Sequence, residues 1–287
     1  MPEQKYRPFI AGGCSFTYGN ELSDDKGETF SKQTWAYRLY EIVCSNKGLV
    51  DWSGDMVNHY KCVANPGSGN SGIARRVFQE INKYPVDNID GVVVMWSFLS
   101  RYDWAMPRHA ELEDKRWTNI SPWDVKINAE EMHNAISNSE PQQEWWKRRK
   151  ELVAKTGVKP FADALYRHAA SQYHEIYLSW KSIVWLQNIL EKRKIPFMFT
   201  LADNSLFYDE LEPHQKQDNL LQGMYNEIDF TNWYSFGERN MGFNQWALLE
   251  NYDRGTTHPL DKAHVDAVKL IQPTFEKLIG GKLCSTG

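Results

Sequence analysis

The run Gly91-Val92-Val93-Val94-Met95-Trp96 limits the possible folds of this chain more than any other stretch. It is β-branched and apolar with no alternation of polar and apolar positions, so a strand made of it must be covered on both faces. Such a strand belongs inside a parallel sheet flanked by helices. Two shorter strand-like segments precede it, Pro8-Phe9-Ile10-Ala11 and Tyr60-Lys61-Cys62-Val63-Ala64, and Ile195-Pro196-Phe197-Met198-Phe199-Thr200-Leu201 follows, with Pro196 confined to its start. Each runs into a polar loop, and the loops after the first two are rich in glycine and serine. That layout predicts an open parallel sheet whose site lies along the edge formed by the C-terminal ends of its strands.

Helical spacing fills the intervals. Trp35, Leu39, Ile42 and Val43 predict one helix, with Thr29 or Ser31 as cap; Ile73, Val77, Phe78 and Ile81 predict a second. A single long helix is expected over residues 161–193, closed by Lys192-Arg193-Lys194 against its dipole. Val265, Val268, Ile271 and Phe275 mark a closing helix, bent at Pro273. Residues 105–160 carry charge and Trp117, Trp123, Trp145 and Trp146 but no β-branched run, which suggests a helical insertion. At 287 residues the chain is expected to form one domain, 1–287, with a helical, aromatic-rich insertion around 105–175. The interval 206–250 shows no usable period.

Charge and composition exclude several classes. Lys and Arg number 33 against 37 Asp and Glu, a net charge of -4, so no nucleic-acid footprint is expected. No apolar run is long enough to span a bilayer and the first residues lack the core of a signal peptide, so a cytoplasmic protein without membrane partners is expected. Cys14, Cys44, Cys62 and Cys284 form no C-x-x-C pair and no zinc spacing, and read as reduced thiols; no metal and no cofactor is expected. Aromatic residues make up 14% of the chain, with 12 Trp, which suits large packing surfaces or stacking platforms for rings and sugars.

The chemistry-bearing stretch is Gly12-Gly13-Cys14-Ser15-Phe16-Thr17-Tyr18-Gly19, at the first strand-to-helix turn. A serine among small residues there can be held with its hydroxyl outward, beside a helix N-terminus. Alternation turns Cys14 away from the face that Ser15 occupies. The second turn, Asn65-Pro66-Gly67-Ser68-Gly69-Asn70-Ser71-Gly72, spells G-x-G-x-x-G but lacks the acidic residue that a dinucleotide site needs about 20 residues further on.

Gly13-Cys14-Ser15-Phe16-Thr17, Asn65-Pro66-Gly67-Ser68-Gly69-Asn70 and His258-Pro259 resemble, in order and separation, blocks one, two and five of the SGNH/GDSL hydrolase superfamily. The resemblance spans nearly the whole chain. It implies a three-layer α/β/α fold of flavodoxin-like type with a parallel sheet of about five strands, and metal-independent ester hydrolysis. Ser15 matches the nucleophile, His258 the general base, and the Ser15 and Gly67 N–H groups match oxyanion donors. Two positions depart from the pattern. Block three lacks its asparagine, Trp96-Ser97-Phe98-Leu99-Ser100-Arg101 standing instead, which leaves Asn70 or Ser97 as the side-chain oxyanion donor, or no such donor at all. The position three before the histidine, usually aspartate, is Gly255. Asp253 is the expected orienting carboxylate, with Asp261 nearby and a Ser–His dyad as the other option.

Arg101 and Trp104 are expected at a substrate-binding position, since they follow a strand's C-terminal end, although an ion pair of Arg101 with Asp103 would serve structure alone. His264 competes with His258 as base, and is otherwise a supporting or solvent-facing group. The expected activity is a serine esterase or deacylase acting on a small-molecule or glycan acyl ester, an acetylated sugar being the reading that the aromatic content suggests. An acyltransferase, or a degenerate binding module, are the other readings. The long helix and the insertion offer a lid or homo-oligomer surface.

Overall fold

A computed structural model describes residues 7–27, 29–47, 59–106, 117–126, 157–208 and 218–280, together with Glu144, Lys147 and Glu151. Trp145, Trp146, Cys284 and much of the expected insertion lie outside the described residues. The strands are β1 (Phe9–Gly12), β2 (Tyr60–Cys62), β3 (Gly91–Trp96), β4 (Tyr102–Ala105), β5 (Trp117–Ile120) and β6 (Phe197–Leu201). The helices used below are α1 (Ser15–Tyr18), α2 (Trp35–Lys47), α3 (Asn70–Ile81), α4 (Pro122–Lys126), α5 (Val158–His168), α6 (Gln172–Lys192), α7 (Ser205–Tyr208), α8 (Asn219–Asn226), α9 (Phe243–Leu249) and α10 (Asp261–Phe275).

Four strands form a parallel sheet in the order β2-β1-β3-β6. Among the described residues a fifth position exists only as a parallel bridge from Phe199 to Trp233, where Tyr234 N–H donates to the Phe199 carbonyl at 2.8 Å. The expected sheet of about five strands is therefore four plus one bridge. Successive side chains leave opposite faces of a strand, and here both faces are covered. Phe9, Ala11, Val93, Met95 and Met198 pack with residues of α2, α9 and α10. Ile10, Val92, Val94, Trp96, Phe197 and Phe199 pack with residues of α3 and α6. Every residue of β3 is buried, which is why its sequence shows no alternation.

Three local expectations are corrected. The segment 161–193 is two helices, because Ser171 turns the chain after α5 and its hydroxyl accepts His174 N–H at 3.2 Å to cap α6. Strands β4 and β5 pair antiparallel, and their Tyr102 and Ile120 face a small core with Val158 and Ala162. Their charged face is tied to α3: Arg75 bonds both oxygens of Asp103, at 2.7 and 3.0 Å, and its guanidinium lies 4.5 Å from the Trp117 ring centre. Asp103 thus pairs with Arg75 and not with Arg101. Lastly, α2 is capped by Thr34, whose hydroxyl accepts Tyr37 N–H at 3.2 Å, and not by Thr29 or Ser31. Among the described residues no helix is long and apolar enough to cross a membrane.

Candidate active site

Parallel strands β1 and β3 lie side by side, so the loops leaving their C-terminal ends are neighbours. Ser15 opens α1 directly after β1. Thr17 and Tyr18 donate their N–H groups to the Cys14 carbonyl, whereas Ser15 N–H has no hydrogen-bond partner among the described residues. Cys14 is fully buried in the core cluster that includes Trp35 and Ala36. The neighbouring turn is fastened by Asn65 N–H donating to the Gly13 carbonyl at 3.1 Å, which seats Gly67 alongside. Gly67 N–H also has no partner among the described residues.

From the far end of the chain, the His258-Pro259 turn reaches back to this serine. His258 Nε2 lies 2.7 Å from Ser15 Oγ. Its other nitrogen, Nδ1, lies 2.7 Å from Glu21 Oε2. An ionised carboxylate can only accept, so Nδ1 carries the proton and Nε2 offers its lone pair to the serine hydroxyl. Phe16 packs on the imidazole with ring centres 4.7 Å apart, and His258 is buried. Thr257 Oγ1 stands 2.8 Å from Nδ1, on the carboxylate side.

Glu21 was not among the expected residues. It receives N–H bonds from Thr256 at 2.8 Å, Thr257 at 3.0 Å and His258 at 3.0 Å, in addition to the imidazole. Burial works to raise its pKa, but the bond from His258 and the backbone N–H groups of Thr257 and Thr256 outweigh it and hold it at about 2. Its backbone is left-handed, with φ 69, a conformation that a glutamate adopts only where its surroundings impose it. Nothing in its sequence spacing pointed to it. The one available signal was the glycine at 255, because a Cβ there would lie 2.8 Å from the Glu21 carboxyl carbon.

Neither of the two aspartates expected to orient His258 is bonded to its ring, whose partners are Ser15, Glu21 and Thr257. Asp253 is exposed, and its carbonyl accepts Leu260 N–H at 3.0 Å. Asp261 accepts from Ser23, from Oγ at 2.6 Å and from N–H at 3.1 Å. The turn between them folds back on itself, with Gly255 N–H donating to the His258 carbonyl at 2.9 Å, so the carboxylate meets the histidine from another loop. His264 is not solvent-facing, and among the described residues it makes no hydrogen bond to Ser15. It is buried against Phe243, and its Nδ1 accepts Trp35 N–H at 3.1 Å at the start of α2. Burial first, and the charge of His258 second, push its pKa down to about 3.

Asn70 is also corrected as an oxyanion donor. Its amide is buried and both protons are committed, to the Ser97 carbonyl at 3.1 Å and Ser179 Oγ at 3.0 Å, while its oxygen accepts Ser97 N–H at 2.7 Å. It clasps the loop after β3. Ser97 Oγ is buried and accepts from Arg101 Nη1 at 2.9 Å. Arg101 remains beside the site: its guanidinium lies 4.8 Å from the Phe98 ring, which packs on Phe16 at 5.7 Å. Trp104 is exposed on β4 with its ring 5.0 Å from that of Phe161. Among the described residues, no three His, Cys, Asp or Glu side chains converge as a metal site.

In geometric terms this is a serine–histidine–carboxylate constellation at the C-terminal edge of a parallel α/β sheet. No family model matches the chain, and no curated protein matches it. Solved structures similar to it include a psychrotrophic esterase, EstA, from Pseudoalteromonas sp., inhibited by monoethylphosphonate, at 10% identity over 96% of this chain and 99% of that one, with a TM-score of 0.44. An acetyl xylan esterase, AlAXEase, is similar at 12% identity over 93% of this chain and 98% of that one, TM-score 0.39. A GDSL-like lipase from Bacteroides thetaiotaomicron is similar at 11% identity over 96% and 91%, TM-score 0.36.

Proposed function

We propose that this protein is a serine esterase or deacylase that cleaves a small acyl ester through Ser15, His258 and Glu21. The reading is carried by one observation, the unbroken line of hydrogen bonds from Ser15 Oγ to His258 Nε2 and from Nδ1 to Glu21, each 2.7 Å long. A serine hydroxyl attacks an acyl carbon only when a base removes its proton, and Nε2 stands within reach of that proton. As Oγ bonds to the carbonyl carbon, His258 becomes cationic and the ionised Glu21 stabilises it. The oxygen that gains charge needs donors, and the unpartnered N–H groups of Ser15 and Gly67 are suited to that role. Collapse of the tetrahedral intermediate expels the alcohol, which takes the proton from His258. Water then attacks the acyl-serine with His258 again as base, releasing the acid and restoring Ser15.

An acetyl ester of a sugar or a related polar alcohol is the substrate that suits a site flanked by Phe98, Phe16 and a partly buried arginine. The test is covalent labelling. A fluorophosphonate should modify the protein at Ser15, and both Ser15→Ala and His258→Ala should abolish labelling. An unlabelled wild-type protein between pH 6 and 9 would overturn the proposal in favour of a binding module.

A further inference from the structure

The loop after β3 is fastened by side chains from α3 and α6. Asn70 clasps Ser97 by both its N–H and its carbonyl. Ser100 adopts a left-handed backbone, φ 58, and is held there by Glu175, which accepts from its N–H at 3.1 Å and its hydroxyl at 2.9 Å. Glu175 is itself buried and accepts Tyr102 OH at 2.9 Å. A side chain at Gly69 would collide with the Arg101 carbonyl, so the backbone of Arg101 is pressed against the turn that carries Gly67. Strained, over-determined backbone of this kind is a mark of functional positions.

What this scaffold presents is the Arg101 guanidinium. Among the described residues one of its five N–H donors is used, on Ser97 Oγ, and one face rests on Phe98. Among the described residues no carboxylate pairs with it. This differs from Arg75, which is spent on Asp103, and from Arg254, which bonds Asn244 and the Thr257 carbonyl. Through Phe98 and Phe16 the guanidinium is linked by ring contacts to His258. A planar fork held in place with free donors matches a carboxylate.

We infer that Arg101 receives a carboxylate belonging to the substrate, so that the ester cleaved at Ser15 is monoanionic. The inference rests on the esterase reading for the bond that is cleaved, but binding tests it without turnover. Two pairs of probes place the charge: para-acetoxybenzoate against para-acetoxybenzamide carries it on the alcohol side, and mono-para-nitrophenyl glutarate against its terminal amide carries it on the acyl side. Calorimetry on Ser15→Ala protein should show at least one acid bound about tenfold or more tightly than its amide. Adding Arg101→Gln should bring that ratio to about one, and adding Arg101→Lys should leave an intermediate ratio, since charge is kept and the fork is lost. Equal binding of acid and amide in both pairs, or a preference that survives Arg101→Gln, overturns the inference. Failure of fluorophosphonate labelling would instead strike the esterase reading alone.

Discussion

Gly255 leaves open the space that the Glu21 carboxylate occupies: a Cβ at residue 255 would stand 2.8 Å from Glu21 Cδ and 3.0 Å from Oε2. Residue 255 is not in the left-handed region, so its lack of a side chain serves room and not backbone conformation. The carboxylate therefore comes from the loop after α1 instead of from the histidine's own turn. Glu21→Gln should lower kcat/KM by about 10²–10⁴-fold on a neutral aryl acetate, because an amide neither fixes the tautomer nor stabilises the imidazolium. Glu21→Ala with Gly255→Asp should recover at least about tenfold over Glu21→Ala alone. Gly255→Asp in the presence of Glu21 should lose activity. Recovery absent from the double variant would show that the shared space is not what relates these residues.

Ser15→Ala and His258→Ala should each reduce kcat by about 10⁴–10⁶-fold, and the double variant should lose little more, because the two act as one unit. Steady-state rates on the same aryl ester decide it. Additive losses would mean that the 2.7 Å contact is not the working one.

Acid should unfold the protein in a way that two groups explain. Glu21, usually near 4.5 and held at about 2, contributes stability above its ordinary pKa that is lost as pH falls through its folded value. His264, held neutral down to about 3 against an ordinary 6.5, acts in the same direction, since the unfolded chain takes up its proton first. Urea titrations should show wild-type stability falling from about pH 6.5 downward. Glu21→Gln should flatten the part of that fall between about pH 4.5 and 2. An identical pH dependence in wild type and variant would refute the assignment.

His264→Leu should cost about 1–3 kcal/mol, because Trp35 N–H would lose its buried acceptor at the start of α2. Its kcat on a neutral ester should stay within a few-fold at a temperature where the variant is folded. A large loss of kcat without loss of stability would return His264 to the role of base.

Asn70→Ala should destabilise by about 2 kcal/mol or more, since it strips partners from the buried N–H and carbonyl of Ser97. Thermal unfolding checks this. Unchanged stability with kcat reduced 10²–10³-fold would instead identify an oxyanion donor.

Much of the frame was legible in the sequence. The unalternated β3, the serine and glycine turns after β1 and β2, and the His-Pro turn before α10 are local patterns, and local patterns survive folding because burial on both faces and tight turns each demand particular residue types. Less legible was anything set by a single capping contact, such as the break between α5 and α6 at Ser171, or by cross-strand pairing, such as that of β4 with β5. Asp103 illustrates the difficulty: Arg101 lies two positions away along the chain, yet the packing of β4 on α3 pairs Asp103 with Arg75, 28 positions away.

By itself the sequence determined a parallel sheet covered by helices, and it put Ser15 and His258 at the turns where a nucleophile and its base would stand. Tertiary structure alone decided which carboxylate completes the line, which asparagine is already committed, and which arginine keeps its donors free. Those choices depend on distances between loops far apart in the chain. Glu21 and His258 are separated by 237 positions, and only the closing of β1 and α10 around one core brings them to 2.7 Å.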